Sequence, residues 1–460
     1  MNLDNKREIK MDEKIIKPNL TSNHSSKQNI YAVYLIFILL LAYTFSFIDR
    51  QILSLLVEPM KRDLDITDTQ MSLLQGLSFA IFYTLMGLPL GRLADSKSRR
   101  GLIAGSIFLW SLMTAACGLA KSYWYLFFAR MGVGVGEAGL SPAAYSLIAD
   151  SVEKKHLAKA ISIYTMGIYF GGGMALIVGG MVIQWAAEFS TIDLPIIGEI
   201  YAWQAVFLAV GLPGLLLVPL LFTLREPQRT QTQSQAKMVS VSEVVDYFKQ
   251  NKKTVLMHNF GAALASVAGY GTLAWAPSYL IRVHGMTGGE VGLAFGLIVL
   301  FCGAGGVITG GAIADRLFKK GKMDAKIRVA MWAMVIGIIP TLIYPIAPNL
   351  TVVLVFLAIS TFFANFMMGL GPAAIQEVVP STMRGQFSAL YLFIVNLIGL
   401  GLGPTLVALS TDYIFGAPED VGYSLLFVTS IAMAGSALLL GLCLPHYRNT
   451  IKSLEETTQS

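Results

Sequence analysis

Charge is what this chain has least of. Asp, Glu, Lys and Arg together make up 13% of its 460 residues, about half the share that covers a soluble domain. Hydrophobic residues make up 55%, and the mean hydropathy is +0.62. So few charges cannot coat soluble cores of that size, and the chain reads as a polytopic membrane protein. Cysteine is also scarce. Cys117, Cys302 and Cys443 each fall inside an apolar stretch, which excludes a disulfide framework or a cysteine metal cluster. There is no Walker loop, no HExxH and no GxSxG, so ATP drive and hydrolase chemistry lack their residues. No enzymatic activity, cofactor or metal is expected. The first 29 residues contain no apolar run, so no cleavable signal peptide is expected and the first membrane helix directs insertion.

What is abundant is apolar helix. Crossing a hydrocarbon layer of ~30 Å takes about 20 apolar residues. Twelve such segments are predicted: 31–58, 71–91, 101–120, 122–150, 159–184, 202–223, 254–282, 288–313, 327–346, 350–378, 384–413 and 421–446. A polar stretch, Arg225–Lys253, divides them six and six and contains an amphipathic helix around Val241–Phe248. The organisation expected is a tail (1–30), a six-helix bundle (31–224), a linker (225–253), a second six-helix bundle (254–446) and a short tail (447–460). Of the 34 Lys and Arg, 28 fall in the tails, the linker and the loops on the linker's side. Four (Lys61, Arg62, Lys121 and Arg282) fall on the other side, and Arg50 and Arg130 lie inside helices. The positive-inside rule then puts both termini in the cytoplasm. It also explains the sequence pI near 9.0 with no nucleic-acid partner.

The two halves repeat each other. Gly91-Arg-Leu-Ala-Asp95 precedes the basic run Lys97-Ser-Arg99-Arg100, and Gly311-Ala-Ile-Ala-Asp315 precedes Arg316-Leu-Phe-Lys-Lys, at an offset of 220. Gly139-Leu-Ser-Pro142-Ala-Ala matches Gly369-Leu-Gly-Pro372-Ala-Ala at an offset of 230. Parallel repeats of this kind place a substrate site at their interface, near the membrane midplane. Twelve helices in two parallel halves, with this loop after spans 2 and 8, resemble the major facilitator superfamily. Phe47-Ile-Asp49-Arg50-Gln, Ala129-Arg130-Met-Gly-Val-Gly134-Val-Gly136-Glu137 and Ser-Leu-Ile-Ala-Asp150 are similar to its spinster-like group. The chain departs from the pattern at Ser96, where Arg is frequent, at Gln204, where Arg usually follows Trp, and at Ala312, where the second loop lacks Arg. The resemblance implies alternating access, with the loop residues Gly91, Asp95, Arg99, Arg100 and Asp315 latching the halves on the cytoplasmic side. Within the loop, Asp95 is expected to cap a helix or to pair with Arg99 or Arg100; the plainer alternative is a loop whose cations serve topology alone.

An ionisable side chain at the bilayer centre costs about 2.5–3.5 kcal/mol or more. Asp49 and Arg50 in span 1 and Arg130 and Glu137 in span 4 incur that cost. At 1.5 Å per residue, both arginines lie ~12 Å below the outer ends of their helices, so the two spans offer charge at one depth. Arg130 and Glu137, seven residues apart, share a helix face. One reading is two static ion pairs. The other, which the resemblance supports at these four positions, makes Asp49 and Glu137 the proton-coupling acids. Arg50 would exchange partners with Glu137, and Arg130 would hold the acids or meet a substrate anion. Gly134-Val-Gly136-Glu-Ala-Gly139 spells a dinucleotide fingerprint, but no strand precedes it; close helix packing is the expectation. The runs at Gly171–Gly173, Gly303–Gly306 and Gly399–Gly403 read the same way.

The second half offers Tyr270, Trp275, Asn365, Asn396 and Tyr391 inside its spans, with Glu377 near one end. A charged first half facing an apolar, aromatic second half suits an amphipathic anion, and the spinster resemblance implies a lysolipid- or sphingolipid-like one. Tyr270, Trp275, Asn365 and Asn396 join Arg50 and Arg130 as candidate substrate contacts. The function expected is proton-coupled secondary transport, with an uncoupled facilitator or an exporter of a small organic anion or drug-like compound as the alternative. The partners expected are a small-molecule or lipid substrate, protons and membrane lipids. The chain is expected to work as a monomer in the bacterial inner membrane.

Overall fold

With no water in a hydrocarbon layer, an apolar segment must satisfy its backbone N–H and C=O groups internally, which a helix does. In the computed structural model, residues 21–186, 191–195, 198–227 and 240–459 are described. The expectations for residues 1–20 of the tail, 228–239 of the linker and Ser460 lie outside them. Ten helices among the described residues are long and apolar enough to cross a membrane. In the first half they are Ile30–Leu55, Asp68–Ser96, Arg99–Cys117, Lys159–Trp185 and Ala202–Leu221 (spans 1, 2, 3, 5 and 6). In the second half they are Gly288–Lys319, Ala325–Ile346, Leu350–Glu377, Arg384–Phe415 and Pro418–Glu456 (spans 8 to 12).

Spans 4 and 7 complete the twelve. Span 4 is two helices, Tyr123–Glu137 and Leu140–Ser151. The break falls at Gly139, and Pro142, which lacks an N–H, sits in the first turn of the second piece, where none is needed. Span 7 is the 33-residue helix Lys252–His284, whose many Gly, Ala, Ser and Thr residues dilute its hydropathy. The amphipathic linker helix is present as Val241–Gln250. The antiparallel strand pair Thr191–Leu194 and Gly198–Tyr201 between spans 5 and 6 is not anticipated from hydropathy. Gln204, the departure from the usual Arg, accepts from the Tyr201 amide (2.8 Å) and donates to the Ala120 carbonyl (2.7 Å). It thereby caps span 6 and ties it to the end of span 3.

The glycine runs are thin helix faces. A methyl group built on Gly180 would sit 2.6 Å from the Gly288 carbonyl oxygen, and one on Gly292 2.3 Å from that of Leu176. Spans 5 and 8 therefore touch backbone to backbone along the halves of their length farthest from the linker. Spans 2 and 11 do the same, Gly76 approaching the Leu400 carbonyl at 2.6 Å by the same measure. The fingerprint-like glycines also serve packing: Gly134 faces the Phe79 carbonyl at 2.6 Å and Gly136 the Trp110 amide at 2.6 Å. The apolar core follows this geometry. On the far side it runs across both halves, joining Leu56 and Met60 to Tyr279 and Phe295. On the linker side the first half has its own core around Leu39, Ile103 and Leu147.

Candidate functional site

Spans 1 and 4 bring the four membrane charges together in one buried network. Asp49, Arg130 and Glu137 are almost wholly buried, and the Arg50 side chain is 13% exposed. Arg50 donates through Nε to Glu137 Oε2 at 2.6 Å, and Ser46, one turn earlier on the same face of span 1, donates to that oxygen at 2.5 Å. The Arg50 guanidinium stacks within 4.7 Å of the ring centroids of Phe47, Phe79 and Tyr83. The Arg130 guanidinium lies 5.8 Å from the Phe79 ring centroid, so both cations lie over one aromatic ring.

Arg130 lies near both acids but donates no hydrogen bond to either carboxylate among the described residues. Its N–H groups go to the backbone carbonyls of Asp49 (3.3 Å) and Leu74 (3.5 Å). Among the described residues the Asp49 carboxyl receives one hydrogen bond, from Thr114 Oγ1 to Oδ2 at 3.0 Å, while Oδ1 meets no donor. Glu137 Oε1 and one terminal nitrogen of Arg130 are also left without a partner among the described residues. A fully paired structural network would leave no such atoms, because each buried unsatisfied polar group costs ~1–3 kcal/mol. Ser46, Thr114, Phe79 and Tyr83 were missed in the sequence. Only Ser46 left a signal there, its spacing of four from Arg50.

Beside this network, a cleft holding about 900 Å³ of space, part of it open to solvent, lies between the halves. Phe47, Gln51 and Tyr169 line it from the first half, and Tyr270, Phe295, Asn365 and Met368 from the second. Tyr169 donates to Asn365 Oδ1 at 3.1 Å, and Gln51 Nε2 to the Leu273 carbonyl at 3.1 Å, across the interface. Span 10 breaks at Asn365, between Leu350–Ala364 and Phe366–Glu377, which brings that side chain to the cleft. Two candidates lie outside this lining. Trp275 is fully buried and donates Nε1 to the Pro404 carbonyl at 2.9 Å, where it joins span 7 to span 11. Asn396 lies outside the cleft lining.

The loop between spans 2 and 3 differs in its partners from the expectation. Asp95 is exposed at the end of span 2, and the next helix is capped by Ser98, whose Oγ accepts from Gly101 N at 3.1 Å. Arg99 is buried and pairs with Asp150 and with Glu226, the latter at 2.9 Å. Arg100 N also donates to Glu226 (3.0 Å). Burial pushes the Glu226 carboxyl up, but the hydrogen bonds from Arg99, Arg100 and Ser98 outweigh it and hold the group below its ordinary range. Gly91 is half-buried and Asp315 exposed, each within a helix.

A second cluster, absent from the sequence reading, joins the halves on the far side. Arg282, at the end of span 7, donates to Glu58 at 2.8 Å and to both oxygens of Asp68 at 2.7 and 2.8 Å. Lys61 reaches Asp68 at 2.5 Å, and Asp412 accepts from the backbone and hydroxyl of Thr69 at 2.7 and 2.6 Å. The sequence counted Arg282 only as one of four far-side cations; its partners become visible only when span 7 meets span 2.

The Major Facilitator Superfamily profile matches residues 39–404. The chain is 28% identical over 417 residues to an MFS-type efflux pump of Mycolicibacterium smegmatis, covering 90% of this chain and 93% of that protein. It is 25% identical over 456 residues to a probable galactarate/D-glucarate transporter of Bacillus subtilis, covering 92% and 94%. Its fold is similar to the crystal structure of a bacterial homolog of the human lysosomal transporter Spinster in an inward-facing, unoccupied conformation. That likeness has a TM-score of 0.75 at 26% identity and covers 93% of this chain and 98% of that one.

Proposed function

The chain belongs to the Major Facilitator Superfamily, an integral multi-pass membrane transporter and not an enzyme, and from that premise we propose that it is a proton-coupled secondary transporter of an amphipathic organic anion. The observation that carries the reading is the Asp49 carboxyl: buried, bonded among the described residues only to Thr114, and one residue from an arginine already committed to Glu137. An acid in that setting gains a proton without breaking an ion pair, and loses it when a cation turns toward it. Protonation of Glu137 would release Arg50 toward the cleft, where a substrate anion replaces the carboxylate. Arg130 steadies the Asp49 backbone throughout.

The cleft supports the substrate class. Its lining is apolar and aromatic, with neutral polar groups from Gln51, Tyr169 and Asn365, and Arg50 lies one residue from Gln51. A lipid-like tail fits that lining, and a single anionic head fits Arg50. The bundles 31–224 and 254–446 would rock about the cleft. Far-side closure by Arg282, Glu58 and Asp68, backbone-to-backbone glycine contacts between spans 5 and 8 on that side, and likeness to an inward-facing structure support a state open toward the linker. Both termini would be cytoplasmic, the membrane a bacterial inner membrane and the working unit a monomer. The likeness to an efflux pump favours, as a second reading, export of a smaller organic anion or drug-like compound without proton coupling.

The test uses proteoliposomes with a trapped pH dye, offered a lysophosphatidic acid or D-glucarate. Asp49→Asn keeps the Thr114 contact. It is expected to retain substrate exchange while losing accumulation driven by a proton gradient. Undiminished proton-driven accumulation in that variant would overturn the assignment.

A further inference from the structure

A second concave site lies away from the cleft between the halves. The linker helix Val241–Gln250, the start of span 7 and the end of span 12 enclose about 680 Å³ of space, part of it open to solvent. Its lining is polar and basic: Lys249, Lys252, Lys253, Asn251, His446 and Asn449. Lys252 and Lys253 are exposed and form no ion pair among the described residues, and the carboxylate of Asp246 engages Lys249 only at 3.6 Å. No carboxylate lines it among the described residues, so the site is a pocket for negative charge.

The helices behind it are firmly joined. Thr254 and Thr450 share a hydrogen bond of 2.9 Å, Thr450 donates to Asn251 Oδ1 at 3.1 Å, and Ser436 donates to the Gly261 carbonyl at 2.7 Å. What continues from the pocket into the membrane is apolar. On span 7, Lys252, Leu256 and Phe260 succeed each other every fourth residue along one face; on span 12, His446, Leu442 and Leu438 do the same. Leu256, Phe260, Leu438 and Leu442 are all exposed. At 1.5 Å per residue, that stripe begins ~6 Å from the basic pocket and continues for a further ~6 Å.

We propose that this groove holds an anionic phospholipid of the linker-side leaflet, its phosphate head group in the basic pocket and its acyl chains along Leu256, Phe260, Leu438 and Leu442. Basic pockets between membrane helices on the cytoplasmic face suit such head groups. The occupant is a lipid and not a soluble phosphate because the apolar stripe continues from the cations into the bilayer. The transported substrate is not the occupant: every lining residue comes from the linker or the second half, so the site lies outside the interface on which alternating access acts. One bound lipid would fasten the linker helix to spans 7 and 12.

Native mass spectrometry of the full chain in mild detergent tests this with dioleoylphosphatidylglycerol and dioleoylphosphatidylcholine. The unsubstituted protein should retain the anionic lipid and release the zwitterionic one. Lys252→Gln with Lys253→Gln should weaken anionic retention about thirtyfold, given about 1 kcal/mol for each cation at a membrane surface. Lys252→Arg with Lys253→Arg should retain it. Lys319→Gln with Lys320→Gln, which removes the same charge elsewhere on the linker side, should leave it unchanged. Equal loss in both glutamine pairs, or none in the first, overturns the site. Thermal protection by inorganic phosphate alone, equal to that by phosphatidylglycerol, overturns the lipid as occupant.

Discussion

The two six-helix halves share a pattern on the linker side and diverge in the interior. On the linker side Arg99 pairs with Asp150 in the first half and Lys326 with Glu377 in the second, both pairs displaced by 227 residues. In each half a further ion pair reaches the chain near the linker-side end of the last span, Arg99 to Glu226 just beyond span 6 and Asp324 to Arg448 within the final turns of span 12, with the signs exchanged. Inside the bilayer the likeness ends. Spans 1 and 4 bury two carboxylates and two guanidiniums. At that depth the second half offers Tyr270, Asn365 and hydroxyl groups. The shared pairs fasten helix ends, a task each bundle needs separately. The unshared charges incur a cost in hydrocarbon that helix fastening does not require, and the proposed function rests on that difference, with transport chemistry in the first half and substrate contact in the second.

The strongest way to break that comparison is to remove the charge from the first half. Glu137→Gln is expected to abolish transport and to lower thermal stability by about 3–5 kcal/mol, because Arg50 is left buried without its anion. Glu137→Leu combined with Arg50→Leu should recover most of that stability and none of the transport. Recovery of both would reduce the network to a static brace. Asn365→Ala, the matching truncation in the second half, should raise KM several-fold and leave stability near that of the unsubstituted chain.

A smaller effect is expected at the far-side clamp, which spans both halves. Arg282→Gln leaves Glu58 and Asp68 without their shared cation and should shift the population toward far-side opening by on the order of tenfold. Electron-resonance distances between labels at Arg62→Cys and Glu419→Cys should lengthen; an unchanged distribution would mean that the glycine contacts alone keep that side closed.

The smallest effect concerns the fastenings. Burial raises the Asp324 carboxyl, but hydrogen bonds from Arg328 and Arg448 prevail and hold it below its ordinary value. Glu226 is lowered in the same way by Arg99. A depressed carboxyl contributes stability that is fully present above its unfolded-state value and is lost as pH falls through its folded one. Unfolding followed against pH should show a loss on the acid side, and Asp324→Asn should flatten it. A profile of unchanged steepness in that variant would assign the acid loss to other groups.

Much of this molecule was legible in the order of its residues, and the reason is solvent. A hydrocarbon layer forces helix wherever about 20 apolar residues run together and makes each buried charge conspicuous, so the spans, the repeat and the quartet Asp49, Arg50, Arg130 and Glu137 stand out unaided. Partners do not stand out. Asp95 looked like the capping residue until Ser98 took that place, and Trp275 looked like a substrate contact although it bonds to Pro404. The Arg282 clamp joins residues up to 224 positions apart. Periodicity and hydropathy are local quantities and determined the helices and the depth of each charge; pairing depends on which helix faces meet and at what height, and that only the packed bundle decided.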